Sequence, residues 1–235
     1  MVNNWLDIIQ YSLLPPTCIL CGNKGMQHMD ICQPCHDAQL ETGSHCYCCA
    51  KQFSTDSLNL HLCGDCLNKP PAFDKTYAPY IHQGAIRYLI NQCKFNAAYK
   101  NTRLLGLLLA NHLRIQADSL PELIIPVPLH PKRYRQRGFN QTLEIAKIVA
   151  RELSIPIDNS CCIHLKNTPH QISLTAKQRH KNIHNAFQMV GTPKATHIAI
   201  LDDVMTTGAT ANELAKTIKT SGVSLVDVWV CARAI

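Results

Sequence analysis

The stretch I-A-I-L-D-D-V-M-T-T-G-A-T, Ile198 to Thr210, decides how this chain is read. Four apolar residues, Ile198 to Leu201, have the length and character of a buried strand. They stop at two adjacent carboxylates, Asp202 and Asp203. Thr206, Thr207, Gly208, Ala209 and Thr210 follow, and the pattern from Ala209 to Ser221 is helical. Gly208 lets backbone N–H groups turn inward, and the threonine hydroxyls add donors. Together with the positive end of the helix they make a phosphate cradle. The loop contains neither the G-K-[ST] of a Walker A sequence nor G-x-G-x-x-G. Carboxylates beside a phosphate would repel it unless they serve another part of the ligand, and ribose hydroxyls suit them. These residues therefore describe a sugar-phosphate site, with the phosphate on the threonines and the diol on Asp202 and Asp203.

Outward from this stretch, strand-length apolar runs alternate with helical patterns. Strands are expected at Thr76–His82, Leu123–Pro128, Ile198–Leu201 and Val223–Ala232. Helices are expected at Gly84–Cys93, Asn101–Arg114, Asn140–Leu153 and Ala209–Ser221, the second very rich in leucine. Such alternation implies an α/β fold, a mostly parallel sheet flanked by helices. Ligands of such sheets bind beyond the carboxyl ends of the strands. The segment P-V-P-L-H-P-K-R-Y-R-Q-R-G-F-N-Q, Pro126 to Gln141, leaves a strand at that edge carrying Lys132, Arg133, Arg135 and Arg137. A basic loop there suits pyrophosphate, which arginine binds bidentately. Gly138 frees the backbone to enter the next helix, which Asn140 can cap.

The segment Ile198–Thr210 resembles the signature of type I phosphoribosyltransferases, enzymes that use 5-phosphoribosyl 1-pyrophosphate (PRPP). The resemblance implies that Asp202 and Asp203 meet the ribose 2- and 3-hydroxyls, with catalytic roles, while Thr206 to Thr210 hold the 5-phosphate. Mg²⁺ would accompany PRPP. Pro126–Gln141 and a second segment, T-P-H-Q-I-S-L-T-A-K-Q-R-H-K-N-I-H-N-A-F (Thr168 to Phe187), resemble the ComF family of competence-associated proteins. That family joins an N-terminal cysteine ribbon to a phosphoribosyltransferase-like domain. The resemblance implies a mobile loop over the site, with Lys166, Gln171, Arg179 and Asn182 as its candidate contacts. Lys166 stands where such chains lead one to expect arginine, and lysine does not replace arginine at a bidentate phosphate site.

The N-terminal third has a different chemistry. Of thirteen cysteines, nine lie between Cys18 and Cys66. Four C-x-x-C knuckles, Cys18/Cys21, Cys32/Cys35, Cys46/Cys49 and Cys63/Cys66, each place two thiolates at the separation a tetrahedral zinc needs. Pairing the first two and the last two gives two structural zinc ions in a double ribbon, with Cys48 spare. His36, His45 and His61 lie near enough to be substitute ligands. Four thiolates leave no open position on the metal, so zinc here is a scaffold. The Lys69–Pro71 segment disfavours helix and reads as a boundary. The expected organisation is an amphipathic helix over 1–15, a double zinc ribbon over 16–70 and a phosphoribosyltransferase-like domain over 76–235.

The formal net charge of +7 is largely offset once eight thiolates bind two zinc ions, so charge alone argues weakly for nucleic acid. No apolar run reaches the roughly 18 residues needed to span a bilayer. In the N-terminal stretch M-V-N-N-W-L-D-I-I-Q-Y-S-L-L, Asp7 and the lack of Lys or Arg speak against an export signal, so a cytoplasmic protein without membrane insertion is expected. Two readings of function follow. One is Mg²⁺-dependent phosphoribosyl transfer from PRPP to an unspecified acceptor, in a protein that the ComF resemblance places in natural transformation and DNA uptake. The other is a non-catalytic adaptor that binds single-stranded DNA or recruits competence or recombination proteins. Tyr134 and Phe139 among the cations of K-R-Y-R-Q-R-G-F suit stacking against bases, so both readings draw on the same segment.

Overall fold

The computed structural model describes residues 15–39, 41–53, 61–96, 99–166 and 183–235, excluding the side chains of 95 and 96. The N-terminal helix expected over 1–15 and the loop candidates Gln171, Arg179 and Asn182 lie outside these residues. The chain divides into two compact units, one up to residue 40 and one from Glu41 to the C-terminus.

The first unit is built on two knuckles. Thr17 pairs with Lys24 across one of them, and the other opens a helical turn, Gln33–Asp37, at Cys32. The second unit contains the remaining two knuckles together with the sheet. Cys46, Cys63 and Cys66 share one buried cluster with Phe73, Ile200, Leu214 and Val228. This second knuckle pair is thus packed into the same core as the strands.

The sheet comprises β1 (Lys75–Tyr77), β2 (Tyr80–Ile81), β3 (Leu123–Pro126), β6 (His197–Met205) and β7 (Leu225–Arg233). Its order is β1-β7-β6-β3, with β2 also on β7, and every pairing is parallel. β4 (Cys162–His164) and β5 (Phe187–Met189) form a separate antiparallel pair. The strand expected at Thr76–His82 is split in two at Ala78–Pro79, because proline has no N–H for the ladder. β6 runs four residues beyond its apolar stretch, so the acid pair lies within the strand. Hydrogen bonding to β7 as far as Met205–Arg233 carries it there.

Flanking helices are α1 (Gly84–Asn96), α2 (Tyr99–Gln116), α3 (Pro131–Arg137), α4 (Gln141–Leu153) and α5 (Ala209–Lys219). The leucines of α2 are core: Leu104, Leu105, Leu107, Leu108, Leu109 and Leu113 are all buried. Gly106 lets α2 approach α4 closely, since a Cβ there would lie 2.7 Å from the Cβ of Ile148. Residues 131–137, expected as a basic loop, form helix α3. Pro131 occupies its first turn, the His130 side chain accepts from the Lys132 N–H, and Gly138 ends it at φ +80°, a proline start and glycine stop.

Candidate functional site

Parallel pairing of β3 and β6 brings their carboxyl ends to one edge, and the site is assembled there. Leaving β3, the chain passes through α3 and enters α4. Asn140 caps α4 by accepting from the Thr142 N–H at 3.1 Å, and its amide donates to the Val127 carbonyl at 3.2 Å. The cap fixes the first turn of α4 against β6. There the Gln141 amide donates to Asp203 Oδ2 at 3.1 Å and the Thr142 hydroxyl to Asp202 Oδ1 at 3.4 Å. Asp203 is buried and Asp202 half-buried.

A cation the sequence pattern did not reveal completes the acid pair. The Lys94 ammonium, on α1, lies 3.1 Å from Asp203 Oδ2. Burial opposes its charge, but attraction to Asp203 and Asp202 outweighs burial and raises its pKa. Burial and the neighbouring Asp203 charge push Asp202 up to about 7. The site thus contains a carboxyl poised to change protonation near neutral pH, a property that clusters at functional sites.

The four cations of the basic segment are divided by their helical spacing. Arg133 and Arg137, one turn apart, are half-buried, whereas Lys132 and Arg135 are exposed. Arg137 donates to the Gln141 side chain at 2.5 Å, which in turn reaches Asp203. Lys132, Arg135 and Gln136 line a surface depression of their own. Tyr134 is exposed, while Phe139 is buried and packs against Tyr99 with ring centroids 5.8 Å apart. Lys166 is exposed and donates to the His184 carbonyl. Beside α3, His164 stacks on Phe187 at 4.8 Å. Burial, then His130 and Arg133, press its pKa down to about 4, so the ring is neutral.

After Met205 the chain turns through Thr206 and Thr207, both exposed, to Gly208, which caps α5 at φ +77°. A Cβ at Gly208 would meet nothing closer than 3.7 Å, so the left-handed backbone, not space, calls for glycine. No side chain caps α5. Ala209 N–H reaches only the Thr207 hydroxyl, at 3.3 Å. A helix start without a side-chain cap keeps its donors and the positive end of its dipole available to an anion.

Sulfur atoms come together as the knuckle spacing predicts. Cys18, Cys21, Cys32 and Cys35 form one cluster and Cys46, Cys49, Cys63 and Cys66 another, all donors within 4.8 Å of one another. Sγ–Sγ distances of 3.5 Å (Cys21–Cys32) and 3.6 Å (Cys49–Cys63) approach the ~3.8 Å edge of a tetrahedron with 2.3 Å zinc–sulfur bonds. The donor sets therefore fit zinc. They consist of cysteines alone: His36 faces Asp37 and His45 the Gly43 carbonyl. Cys48 is spare, directed at the Phe73 carbonyl. No helix among the described residues is long and apolar enough to cross a membrane.

Residues 9–67 match the double zinc ribbon domain family. Among solved structures, the chain is similar to a glutamine PRPP amidotransferase from B. subtilis, at 16% identity and a TM-score of 0.37. The match covers 55% of this chain and a quarter (25%) of the other. A purine phosphoribosyltransferase from Pyrococcus horikoshii gives 18% identity and a TM-score of 0.34, over 57% of this chain and 73% of that one. Among curated proteins, DNA utilization protein YhgH of Escherichia coli O157:H7 is 32% identical over 94% of this chain and 99% of its own. Competence protein F of Haemophilus influenzae is 33% identical over 92% of this chain and 96% of its own. With identity at this level along nearly the whole of both sequences, the chain belongs to the competence protein F family.

Proposed function

We propose that the edge formed by β6, α4 and α5 binds PRPP and that the protein serves the use of incoming DNA in natural transformation, in the cytoplasm. The observation that carries the ligand reading is the coincidence, within nine residues, of a charge-compensated acid pair and an uncapped helix start. The first suits a ribose diol and the second a 5-phosphate. Arg133 and Arg137, on the inner face of α3, would take the pyrophosphate. The names of the relatives, competence protein F and DNA utilization protein, support the biological assignment.

In this reading Asp202 and Asp203 accept hydrogen bonds from the 2- and 3-hydroxyls and face the positive charge that develops on the sugar as the bond from C1 to pyrophosphate breaks. Arg133 and Arg137 stabilise the departing pyrophosphate. A nitrogen nucleophile forms the new bond to C1, and Asp202, with its raised pKa, is placed to accept its proton. Beside Asp202, Asp203, Arg133 and Arg137, a magnesium ion bound with PRPP would add charge neutralisation. The test is calorimetric titration of PRPP into zinc-loaded protein with and without Mg²⁺, with Asp202→Asn as control. Magnesium-dependent binding that the variant loses is the expected result, and no binding to a folded sample refutes the site.

A second function is favoured by the division of α3. Lys132 and Arg135 are exposed and share a surface depression with Gln136, unlike the half-buried Arg133 and Arg137, and Tyr134 is exposed on the same helix. That outer face suits the backbone and bases of single-stranded DNA, and it need not compete with pyrophosphate for the inner arginines.

A further inference from the structure

One buried cation has no role in the site as described so far. Arg233, the last residue of β7, is 9% exposed. Its Nε donates to the Cys49 carbonyl at 2.9 Å, and one terminal nitrogen donates to the carbonyls of Met205 (3.2 Å), Thr206 and Ala234 (2.6 Å). Cys49 belongs to the second four-cysteine cluster. Met205 and Thr206 begin the candidate phosphate loop. One planar guanidinium therefore spans from the metal knuckle to the loop.

We propose that Arg233 is a positioning residue through which the second zinc knuckle shapes the 5-phosphate loop. The inference rests on the sugar-phosphate reading of that loop. The peptide bonds are trans, so the C=O and N–H of each peptide unit point in opposite directions. Arg233 draws the Thr206 carbonyl and, together with the Ala234 N–H at 2.9 Å, the Met205 carbonyl to one side, so the N–H groups of Thr206 and Thr207 turn to the other side of the loop. Those donors come just before the uncapped start of α5, and together they form a concave row for a phosphate. Among the described residues no carboxylate lies within ion-pair distance of Arg233. Its direct partners are thus carbonyl dipoles.

The connection does not depend on the arginine alone. Cys48, inside the knuckle, directs its thiol to the Phe73 carbonyl at 3.7 Å. The Phe73 ring lies 3.8 Å from the position of a Cβ on Gly208. Next to it, the Ala72 N–H donates to the Asn212 side chain at 2.7 Å, within the first turn of α5. Two independent routes therefore join the knuckle to the loop and to the helix that carries it. Zinc on Cys46, Cys49, Cys63 and Cys66 would hold the Cys49 carbonyl still, and Arg233 would transmit that order to the donors. A lysine has one donor centre and cannot span both ends.

The experiment compares ribose 5-phosphate and inorganic pyrophosphate by calorimetry on zinc-loaded wild type, Arg233→Lys, Arg233→Gln and two knuckle variants, Cys49→Ser and Cys18→Ser. Arg233→Lys, Arg233→Gln and Cys49→Ser are expected to weaken ribose 5-phosphate at least tenfold and to leave pyrophosphate within twofold. Cys18→Ser, in the first cluster, is expected to change neither. Amide hydrogen exchange on the wild type, with and without chelator, gives a measure that needs no variant. Loss of zinc should raise exchange at Thr206 to Ala209. Equal weakening of both ligands, unchanged ribose 5-phosphate binding, or exchange at the loop that ignores zinc overturns the proposal. Binding of neither ligand to the wild type overturns the sugar-phosphate reading itself, and this inference with it.

Discussion

Lys94 offers the sharpest test of the site's electrostatics, by replacement with methionine of similar length. At 3.1 Å from Asp203, with an effective dielectric constant of ~20, the attraction is about 5 kcal/mol before desolvation. The Lys94 side chain is 25% exposed, so solvent reduces its effect on the acid pair to about 1–2 kcal/mol, equivalent to about one pH unit. Asp202 stands at about 7 with Lys94 in place, and Lys94→Met should carry it about one unit higher. If the ribose diol requires ionised Asp202, half the wild-type protein is competent at pH 7 but only about a tenth of the variant. PRPP affinity in Lys94→Met should therefore fall about fivefold at pH 7. The two proteins should converge near pH 9 and differ about tenfold below pH 6. The assay is calorimetric titration across pH 6–9 in buffers of different ionisation enthalpy, with extra proton release on binding to the variant at pH 7. Tighter binding by the variant at pH 7 would refute the reasoning, because it would make Lys94 a plug that ligand must displace. Parallel pH profiles would refute it as well.

Asp202→Asn should abolish PRPP binding yet stabilise the fold at pH 7. The folded pKa lies above the ordinary carboxylate value, so the native state binds more protons than the unfolded state between about pH 4 and 7, and stability falls as pH rises through that window. Removing this penalty should gain on the order of 4 kcal/mol in urea unfolding at pH 7, and nothing below pH 4. Gly208→Ala should cost about 1 kcal/mol through its positive φ, read by thermal unfolding, and should weaken ribose 5-phosphate more than pyrophosphate. Chelation should release about two zinc ions per chain. Because Cys46, Cys63 and Cys66 lie in the sheet's own core, loss of the second ion should lower the thermal midpoint of the sheet, which near-ultraviolet circular dichroism would report. Finally, Lys132→Gln with Arg135→Gln should weaken single-stranded DNA and flatten its salt dependence by about two ions while sparing PRPP, and Arg133→Gln with Arg137→Gln should do the reverse. Equal effects of both double variants on both ligands would show that α3 has no division of labour.

Much of this protein is determined by segments short enough to act locally. The candidate phosphate loop lies between the end of β6 and the start of α5, within one run of thirteen residues, and its strand, glycine turn and helix are each specified by neighbours in sequence. The zinc clusters are similar: C-x-x-C is a local turn, and the pairing of knuckles in order follows from short loops. Alternating strands and helices announce a parallel sheet because apolar periodicity is local too. Other features emerged only on folding. The basic segment reads as a loop from composition, yet the His130 cap, Pro131 and Gly138 make it a helix, and only a helix turns four cations into two faces. Lys94 reaches Asp203 from α1, and Gln141 reaches it across 62 residues. Arg233 meets Cys49 across 184. No motif of adjacent residues can encode such contacts, because they exist only where packing brings distant elements to one sheet edge. The sequence by itself determined where two four-cysteine zinc sites form and which short segment carries the acid pair and the glycine turn. The tertiary structure alone decided which charge compensates the acid pair and which buried cation reaches the Thr206 carbonyl, since a buried charge finds its partner in space and not along the chain.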